Sequence, residues 1–452
     1  MRAALLSATA LAIALVSPAL SQEKQYPATL AGQAVLPANS TVPAPADAPD
    51  HLRQAGKFTT PDRKRTEALG TVPGKDSARV TDVKLPLDGQ PLQGFSGIKA
   101  MDDSTFWVLS DNGFGNKLNS SDAALMLHHL RLDWESGQVE RLETIFLSDP
   151  DKRAPFPIAM EGAATRYLTG ADFDIESIQP VADGFWIGEE FGPYLLKVDQ
   201  QGRLKSVHDT VADGKPVQSP DHPTLTTPAN PKAAMPAFNL KRSGGYEGMA
   251  MSPDGSKLYA LLEGPLFKPD GSVETVAGNP ALRILEFDTA KGDWTGRSWA
   301  YPLSKGGEAI GDFNMIDEVT GLVIERDNGA GLPDKSCADP AKPQPDCFDK
   351  PATFKRIYKI ALTADGKGEP VRKIGYIDLL AIKDPNGKAR QGAKDGVYTM
   401  PFVTIENVDV IDDNHIVVGN DNNLPFSAGR ATDKADDNEF VLLEVGEFLK
   451  AE

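Results

Sequence analysis

The sequence contains few residues of the types that form most transition-metal sites, with two cysteines and six histidines among 452 residues. No histidine lies near Cys337 or Cys347, which disfavours a zinc site at these two residues. Two cysteines at so short a spacing in an exported chain predict a disulfide. After the apolar run at the start, no stretch approaches the roughly 18 apolar residues of a membrane-spanning helix. We therefore expect no membrane span beyond that run.

The signature motifs of several enzyme classes are also missing. The sequence has no G-x-S-x-G serine elbow, no phosphate-binding glycine loop, no dinucleotide fingerprint, no H-E-x-x-H helix and no EF-hand loop. Its net charge of −17 indicates long-range repulsion from nucleic acid and from anionic lipid. We expect no nucleic-acid partner, whereas a small anionic substrate held through a bound cation is compatible with this charge.

The first 21 residues have the pattern of a secretory signal peptide. Arg2 precedes an apolar run, and small residues at 17–21 follow it as a cleavage zone. A buried N-terminal helix is the alternative interpretation. The pattern predicts that the mature protein is periplasmic or secreted. Residues 22–78, rich in proline and alanine, are predicted to wrap around a main domain spanning 79–452.

Five segments repeat one pattern of short strand, polar turn, second strand and acidic or amide-rich end. They span residues 94–115, 174–192, 245–264, 311–329 and 404–423. A hairpin returns to the end from which it starts, so the opening and closing residues of each segment are neighbours. Such repeats, separated by further strands, indicate an all-β protein: a β-propeller of five or six blades, each with about four antiparallel strands.

Two further expectations follow from the propeller topology. The strand-like residues 79–87 are predicted to supply the strand that the last blade lacks and so to close the ring. Long loop insertions at 209–243, 329–353 and 383–401 adjoin the polar ends of hairpins. They are predicted to lie on one face, around the mouth of the propeller.

The repeated hairpin ends predict a ring of carboxylates at that mouth. Clustered carboxylates repel one another unless a cation neutralises them. Oxygen ligands without nearby histidine or cysteine favour Ca²⁺ over Zn²⁺. For any single residue, capping of a local turn is the alternative. The candidate metal ligands are Asp111, Glu176, Glu189, Glu190, Glu247, Glu263, Asp312, Glu325, Asp327, Glu406 and Asp421.

Basic residues occur near the same ends. Arginine binds phosphate and carboxylate groups through two parallel hydrogen bonds, which predicts substrate binding. Strand alternation directs Arg326 to the side opposite Glu325 and Asp327, so either the arginine or the two acids can face the channel. Ordinary ion pairs are the alternative. The candidate substrate-binding residues are Lys241, Arg242, Arg326 and Arg430, and the candidate catalytic residues are Glu190, Arg242 and Arg326.

Several short motifs between residues 92 and 445 together resemble the bacterial phytase-like family, whose domain is described as having esterase-like activity of phytase. The motifs are GFSGI at 94–98, DNG at 111–113, DIES at 174–177, EEFGPY at 189–194, GYEGMA at 245–250, ERDNG at 325–329 and IENVD at 405–409. The resemblance implies a secreted propeller that hydrolyses an ester or a phosphate ester. The architecture is similar to that of the calcium-dependent propeller phytases, although their metal and phosphate residues have no match here.

These observations lead to the expectation of a Ca²⁺-dependent hydrolase of phosphate esters. Two alternatives stay open at this point. One is a propeller that binds a ligand or partner at the same mouth without catalysis, and the other is a carboxylic esterase.

Overall fold

The computed structural model describes residues 23–59, 70–230, 232, 235 and 237–452. Within these residues the chain is built from strands and turns. The helices of this part are short: two 3₁₀ turns at Asp50–Arg53 and Pro333–Lys335, and one α-helical turn at Gly446–Leu449. None of its helices has the length and apolarity needed to cross a membrane. The predicted signal peptide at 1–21 lies outside the described residues.

Four blades of a β-propeller are each formed mainly by one continuous stretch of the chain. Blade A consists of Phe95–Ala100, Thr105–Ser110, Met126–Leu132 and Val139–Phe146. Blade B consists of Ile175–Val181, Gly184–Glu189, Tyr194–Val198 and Leu204–Asp209. Blade C consists of Tyr246–Met251, Lys257–Leu262, Asn279–Asp288 and Asp293–Pro302. Blade D consists of Ala309–Met315, Thr320–Arg326, Lys355–Ala361 and Arg372–Asp378.

The fifth repeat lies in a composite sheet, called sheet E here. Its inner strands are Asn407–Val410, His415–Gly419 and Asn438–Glu444. Its next strand is Thr29–Leu36, which pairs antiparallel with Asn438–Glu444. Three short strands, Ile382–Lys383, Ala393–Lys394 and Val397–Tyr398, extend this sheet. The predicted propeller is thus confirmed, but its count of five or six uniform blades is corrected to four continuous blades and one composite sheet.

The predicted closing strand was also wrong. Arg79–Leu85 pairs with Val72–Asp76 in a hairpin of its own, and Thr29–Leu36 closes sheet E instead. The N-terminal segment therefore does not merely wrap around the propeller, because it supplies one of its strands. The domain boundary predicted at residue 79 falls between the two paired strands of the hairpin, Val72–Asp76 and Arg79–Leu85.

The innermost strands of blades A to D and sheet E contact one another in chain order, and the last contacts the first. Side chains from neighbouring blades form shared cores. Trp107 and Leu109 of blade A pack with Ile175 and Ile187 of blade B, for example. Because both faces of a blade are covered by its neighbours, the inner strands are apolar on both sides. Buried polar residues, among them Glu176, Glu247 and Arg326, lie near the ends of these inner strands.

The remaining short strands lie around this ring. Thr41–Val42 pairs with Gln90–Pro91, Gln54–Ala55 with Leu87–Asp88, and Val211–Ala212 with Lys215–Pro216. Lys24–Gln25 and Lys367–Pro370 add parallel edge strands to blades D and C, and Thr275–Val276 pairs within blade C. The insertion at 329–353 contains the predicted disulfide between Cys337 and Cys347, with Cα atoms 4.9 Å apart.

Candidate metal centre at the propeller mouth

β-Bulges in the first strands of blades B and C direct two glutamates toward the axis. Ile175 pairs with Glu189 and Ser177 with Gly188, which leaves Glu176 without a partner on the second strand. Glu247, between Tyr246 and Gly248, likewise has no partner on the second strand of blade C. A bulge turns its extra residue out of the ladder and re-aims its side chain. The two glutamates therefore leave the blade surfaces and enter the channel.

Equivalent positions of the five repeats form two rings around the axis. The opening ring lies at the start of the first strands and consists of Ser96, Glu176, Glu247, Gly311 and Glu406. The closing ring follows the second strands and consists of Asp111, Glu190, Glu263, Arg326 and Asp421. Blade D departs from the acidic pattern in both rings. A Cβ atom at Gly311 would lie 2.0 Å from the backbone oxygen of Ile405, so no larger residue fits there.

Arg326, at the closing position of blade D, is a buried cation that faces the axis. Its Nη2 lies 3.2 Å from Glu406 Oε1, 3.9 Å from Glu247 Oε1 and 4.0 Å from Glu263 Oε1. Its Nη1 donates to Asn328 Oδ1 at 2.8 Å. The sequence left open whether Arg326 or its two acidic neighbours face the channel. In the structure Arg326 faces the channel, and Glu325 and Asp327 face away from it. The carboxylates of blade C and sheet E thus have an internal counter-ion.

Among the described residues, no lysine or arginine forms an ion pair of this kind with an axial carboxylate of blade B. One oxygen from each of Asp174, Glu176 and Glu190 lies within 4.8 Å of the others, and all three residues are buried. Asp174 Oδ1 and Glu190 Oε1 have no hydrogen-bond partner within the part of the chain that the structure describes. This set, called the blade B triad, offers oxygen atoms to a hard cation in the way that Ca²⁺ requires.

Burial is the main cause of raised carboxyl pKa values in this region, and mutual repulsion adds to it. Burial and then Asp174, Glu247 and Glu190 hold the pKa of Glu176 well above its usual range. Burial followed by Glu263 and Asp174 does the same for Glu190. The pKa of Asp421 rises to about 8 through burial and Glu406. Carboxyl groups that resist ionisation in this way become anionic when a cation binds among them.

The carboxylates that meet at the axis are called the axial acidic cluster. Within it, Ser96 Oγ donates to Glu406 Oε2 at 2.9 Å, and burial with Asp421 and Asp174 raises the pKa of Asp111. The cluster unites seven of the predicted ligands with one that was missed. Its members are Asp111, Asp174, Glu176, Glu190, Glu247, Glu263, Glu406 and Asp421.

Two predicted ligands in blade D lie outside the cluster. Glu325 accepts hydrogen bonds from Tyr301 Oη at 2.7 Å and from Lys373 Nζ at 2.6 Å, on the side of the strand opposite Arg326. Asp327 accepts from the backbone N–H groups of Thr353 and Phe354 and pairs with Lys355 Nζ at 3.1 Å. These contacts hold the strand ends and the insertion at 329–353, so we remove both residues from the candidate ligands.

Glu189 and Asp312 are likewise engaged by backbone groups. Glu189 accepts from the N–H groups of Phe191 and Gly192 at 2.9 and 2.8 Å, which fixes the turn that presents Glu190. Asp312 accepts from the N–H groups of Phe313 and Val408 at 2.7 and 3.0 Å, and so ties blade D to sheet E. Each is a local structural acceptor, the alternative that the sequence had left open for single acidic residues.

The other predicted cations occupy different places. Lys241 Nζ lies 2.5 Å from Glu263 Oε2 at the edge of the cluster. Arg242 is largely exposed at the rim and pairs with Asp221. Arg430 is held by two hydrogen bonds of 2.8 Å to Glu439, and a third contact reaches Tyr398. The bidentate pair with Glu439 occupies Arg430 within sheet E, so we drop it as a substrate-binding candidate.

Sequence reasoning missed two residues of the mouth. Asp174 stands in the DIES motif but precedes the strand. The other repeats have no acidic residue at the equivalent position, and this difference is the one sequence signal that could have marked Asp174. Lys117 lies in the loop 111–125 of blade A, and its Nζ lies 4.6 Å from the centre of the Phe191 ring. Nothing in the local sequence indicates that this loop reaches blade B.

Comparison with known proteins agrees with the motifs. The model of the phytase-like family, described as esterase-like activity of phytase, matches residues 90–424. The chain belongs to this family. An uncharacterized secreted protein of Arthroderma benhamiae is 27% identical over 192 residues, which cover 33% of this chain and 35% of that protein. The chain thus matches about a third of that relative's length.

Two solved structures are among those that match this chain at low identity. Hydrazine synthase of Kuenenia stuttgartiensis is 11% identical, with 85% of this chain and 81% of that chain covered and a TM-score of 0.31. A periplasmic gluconolactonase of Pseudomonas aeruginosa is 12% identical, with coverage of 82% and 98% and a TM-score of 0.28. Neither likeness bears on the chemistry of the site.

Proposed function

We propose that this protein is an exported, Ca²⁺-dependent hydrolase of small phosphate esters, with its metal held by the blade B triad. The observation that carries the proposal is the asymmetry of the axial acidic cluster. Arg326 lies within 4.0 Å of Glu247, Glu263 and Glu406, whereas two triad oxygens are buried without a hydrogen-bond partner among the described residues. Membership of the phytase-like family supports ester hydrolysis. The secreted relative supports export.

In this proposal, different residues of the chain have different roles. Asp174, Glu176 and Glu190 bind the cation and fix its position relative to the channel. A bound Ca²⁺ supplies Lewis-acid polarisation of a phosphoryl oxygen and favours ionisation of a water. Lys241 and Arg242 at the rim provide positive charge for the anionic substrate. Arg326 contributes a buried positive charge beside Glu247, Glu263 and Glu406 and holds these side chains in place.

Calcium titration of chelator-treated protein by isothermal calorimetry tests the metal site. We expect wild-type protein to bind Ca²⁺, and Glu176→Gln to weaken binding by about tenfold or more because one charged ligand is lost. Glu140→Gln, an exposed change on the outer edge of blade A, should leave the affinity unchanged. Absence of binding by the wild-type protein would refute the proposed metal centre.

Turnover of chromogenic substrates then separates the candidate activities. The proposal expects hydrolysis of an aryl phosphate monoester or diester that stops with chelator and returns with Ca²⁺. Hydrolysis of an aryl acetate alone favours the carboxylic esterase. Calcium binding without turnover of any of these esters favours a ligand-binding propeller.

A further inference from the structure

The loop 111–125 of blade A places one lysine over the neighbouring blade. Lys117 Nζ lies 4.6 Å from the centre of the Phe191 ring and 5.8 Å from that of Phe156. It also donates to the backbone oxygen of Asp221 at 3.4 Å. Phe191 directly follows the triad residue Glu190 in the chain and is buried. The ammonium group is thereby positioned beside the blade B triad.

The loop that carries Lys117 is itself fixed. Asn112 Oδ1 accepts from the N–H groups of Phe114 and Gly115 at 3.2 and 2.7 Å, and Ser120 Oγ donates to the backbone oxygen of Asn116 at 2.8 Å. At Gly170, a Cβ atom would lie 1.9 Å from the backbone oxygen of Asn112, so the adjoining segment packs closely against the loop. The position of the lysine follows from this packing.

Lys117 differs from the other cations at the mouth in its partners. Lys241, Arg242 and Arg326 each form an ion pair with a carboxylate. Lys117 forms none with the residues that the structure describes; its contacts there are the Asp221 carbonyl and two aromatic rings. Its charge still acts at the site, since burial raises the pKa of Asp174 and the Lys117 ammonium opposes that shift. A half-buried cation with no carboxylate partner among the described residues can pair with an incoming anion.

We propose that Lys117 binds the phosphoryl group of the substrate beside the blade B triad, with the Phe191 ring holding its ammonium in place. The inference rests on the proposed function, because a cation held by the triad would supply the second positive charge for the same phosphoryl group. Lysine suits this role as a point charge that donates to oxygen from several directions. The rings that flank it restrict its motion and favour the cation electrostatically.

Binding of inorganic phosphate, measured by calorimetry on Ca²⁺-loaded protein at concentrations below calcium phosphate precipitation, tests this role without relying on activity. We expect Lys117→Met to weaken phosphate binding by about tenfold or more, as the loss of a charged hydrogen bond implies. Lys117→Arg should restore part of the affinity. Lys291→Met, which removes an exposed lysine at the edge of blade C, should change nothing.

The calcium affinity of each variant keeps the two proposals apart. Unchanged or tighter Ca²⁺ binding by Lys117→Met shows that the site is intact, and wild-type phosphate affinity in that variant overturns the role of Lys117. If wild-type protein binds no Ca²⁺, the proposed metal centre is refuted. Phosphate binding to the metal-free protein then tests the role of Lys117. Binding that depends on Lys117 then supports the inference, and binding that does not depend on it, or no binding, overturns it.

Discussion

At the scale of single residues, Arg326 shows what the sequence could and could not predict. Strand alternation correctly implied that Arg326 and its acidic neighbours face opposite sides. It could not tell which side is the channel, because that depends on the bulge near Gly311 and on the packing of blade D against sheet E. The repeats predict the ring of carboxylates. They do not predict that Arg326 lies beside the carboxylates of blade C and sheet E, or that the blade B triad has no such ion pair among the described residues.

The buried position of Arg326 predicts a large effect on stability. Arg326→Met leaves Glu406, Glu247 and Glu263 without their shared cation, and loss of one partner of a buried ion pair costs about 3–5 kcal/mol. Arg242→Met removes a largely exposed partner of Asp221 and should cost at most about 1 kcal/mol. Urea denaturation at pH 7 measures both values.

Arg326→Lys completes this comparison, since it keeps a charge but loses the planar fork. If Arg326 is the internal counter-ion, this variant lowers the free energy of unfolding and nearly preserves kcat/KM. A fall in kcat/KM by about one to two orders of magnitude, with stability intact, would instead assign Arg326 to substrate binding.

His128 predicts a measurable dependence of stability on pH. It is buried between Ser110 Oγ at 3.1 Å and Thr144 Oγ1 at 3.0 Å, and burial lowers its pKa from 6.5 to about 3. The unfolded chain binds a proton at this residue below pH 6.5, whereas the folded chain does not until about pH 3. Its contribution to stability is therefore complete above pH 6.5 and is lost as the pH falls toward 3.

Replacement of His128 by glutamine tests that linkage. One proton contributes a slope of up to about 1.4 kcal/mol per pH unit to the free energy of unfolding. We expect the His128→Gln protein to lose stability less steeply between pH 6 and pH 4 than wild type, although it is less stable at pH 7. Parallel curves for the two proteins in urea titrations across this range would contradict the assignment.

At the scale of elements, the hairpins were predictable and the bulges were not. Apolar strands, polar turns and acidic ends recur with a spacing that marks each hairpin. The bulges at Glu176 and Glu247 insert one residue into a run of apolar and small residues, and such a run has no alternation that an insertion would visibly disturb. On blade D, Glu325 and Asp327 accept hydrogen bonds from groups away from the axis, which the alternation of the second strand alone could not predict.

The strand Thr29–Leu36 was missed because its residues carry little signal. It contains two alanines and a glycine, and it lies within a segment whose composition resembles a surface linker. Residues 79–85 alternate clearly, yet this alternation reflects a two-stranded hairpin that covers a small satellite core around Val83 and Leu85. Alternation predicts that a strand exists, but not the sheet to which the strand belongs.

At the scale of the whole molecule, the closure of the ring makes the N-terminal strand a determinant of global stability. Ala34 is fully buried, pairs with Phe440 of sheet E and packs in the core shared with Phe95 and Phe106 of blade A. A change at this one position therefore acts on the contact between the first and last repeats. A propeller opened there exposes apolar surface on both sides of the break.

Substitution of Ala34 by aspartate tests this closure. A buried carboxylate without a partner should lower the free energy of unfolding by several kcal/mol, about 3 or more. Amide hydrogen exchange should rise in both blade A and sheet E, since the strand contacts both. Val83→Asp places the same charge in the separate hairpin, where faster exchange should stay within that hairpin and the loops that share its satellite core and should spare the strands of blade A and sheet E. If Val83→Asp instead loosened blade A and sheet E while Ala34→Asp left them protected, the ring would be closed by the hairpin, as the sequence alone had suggested.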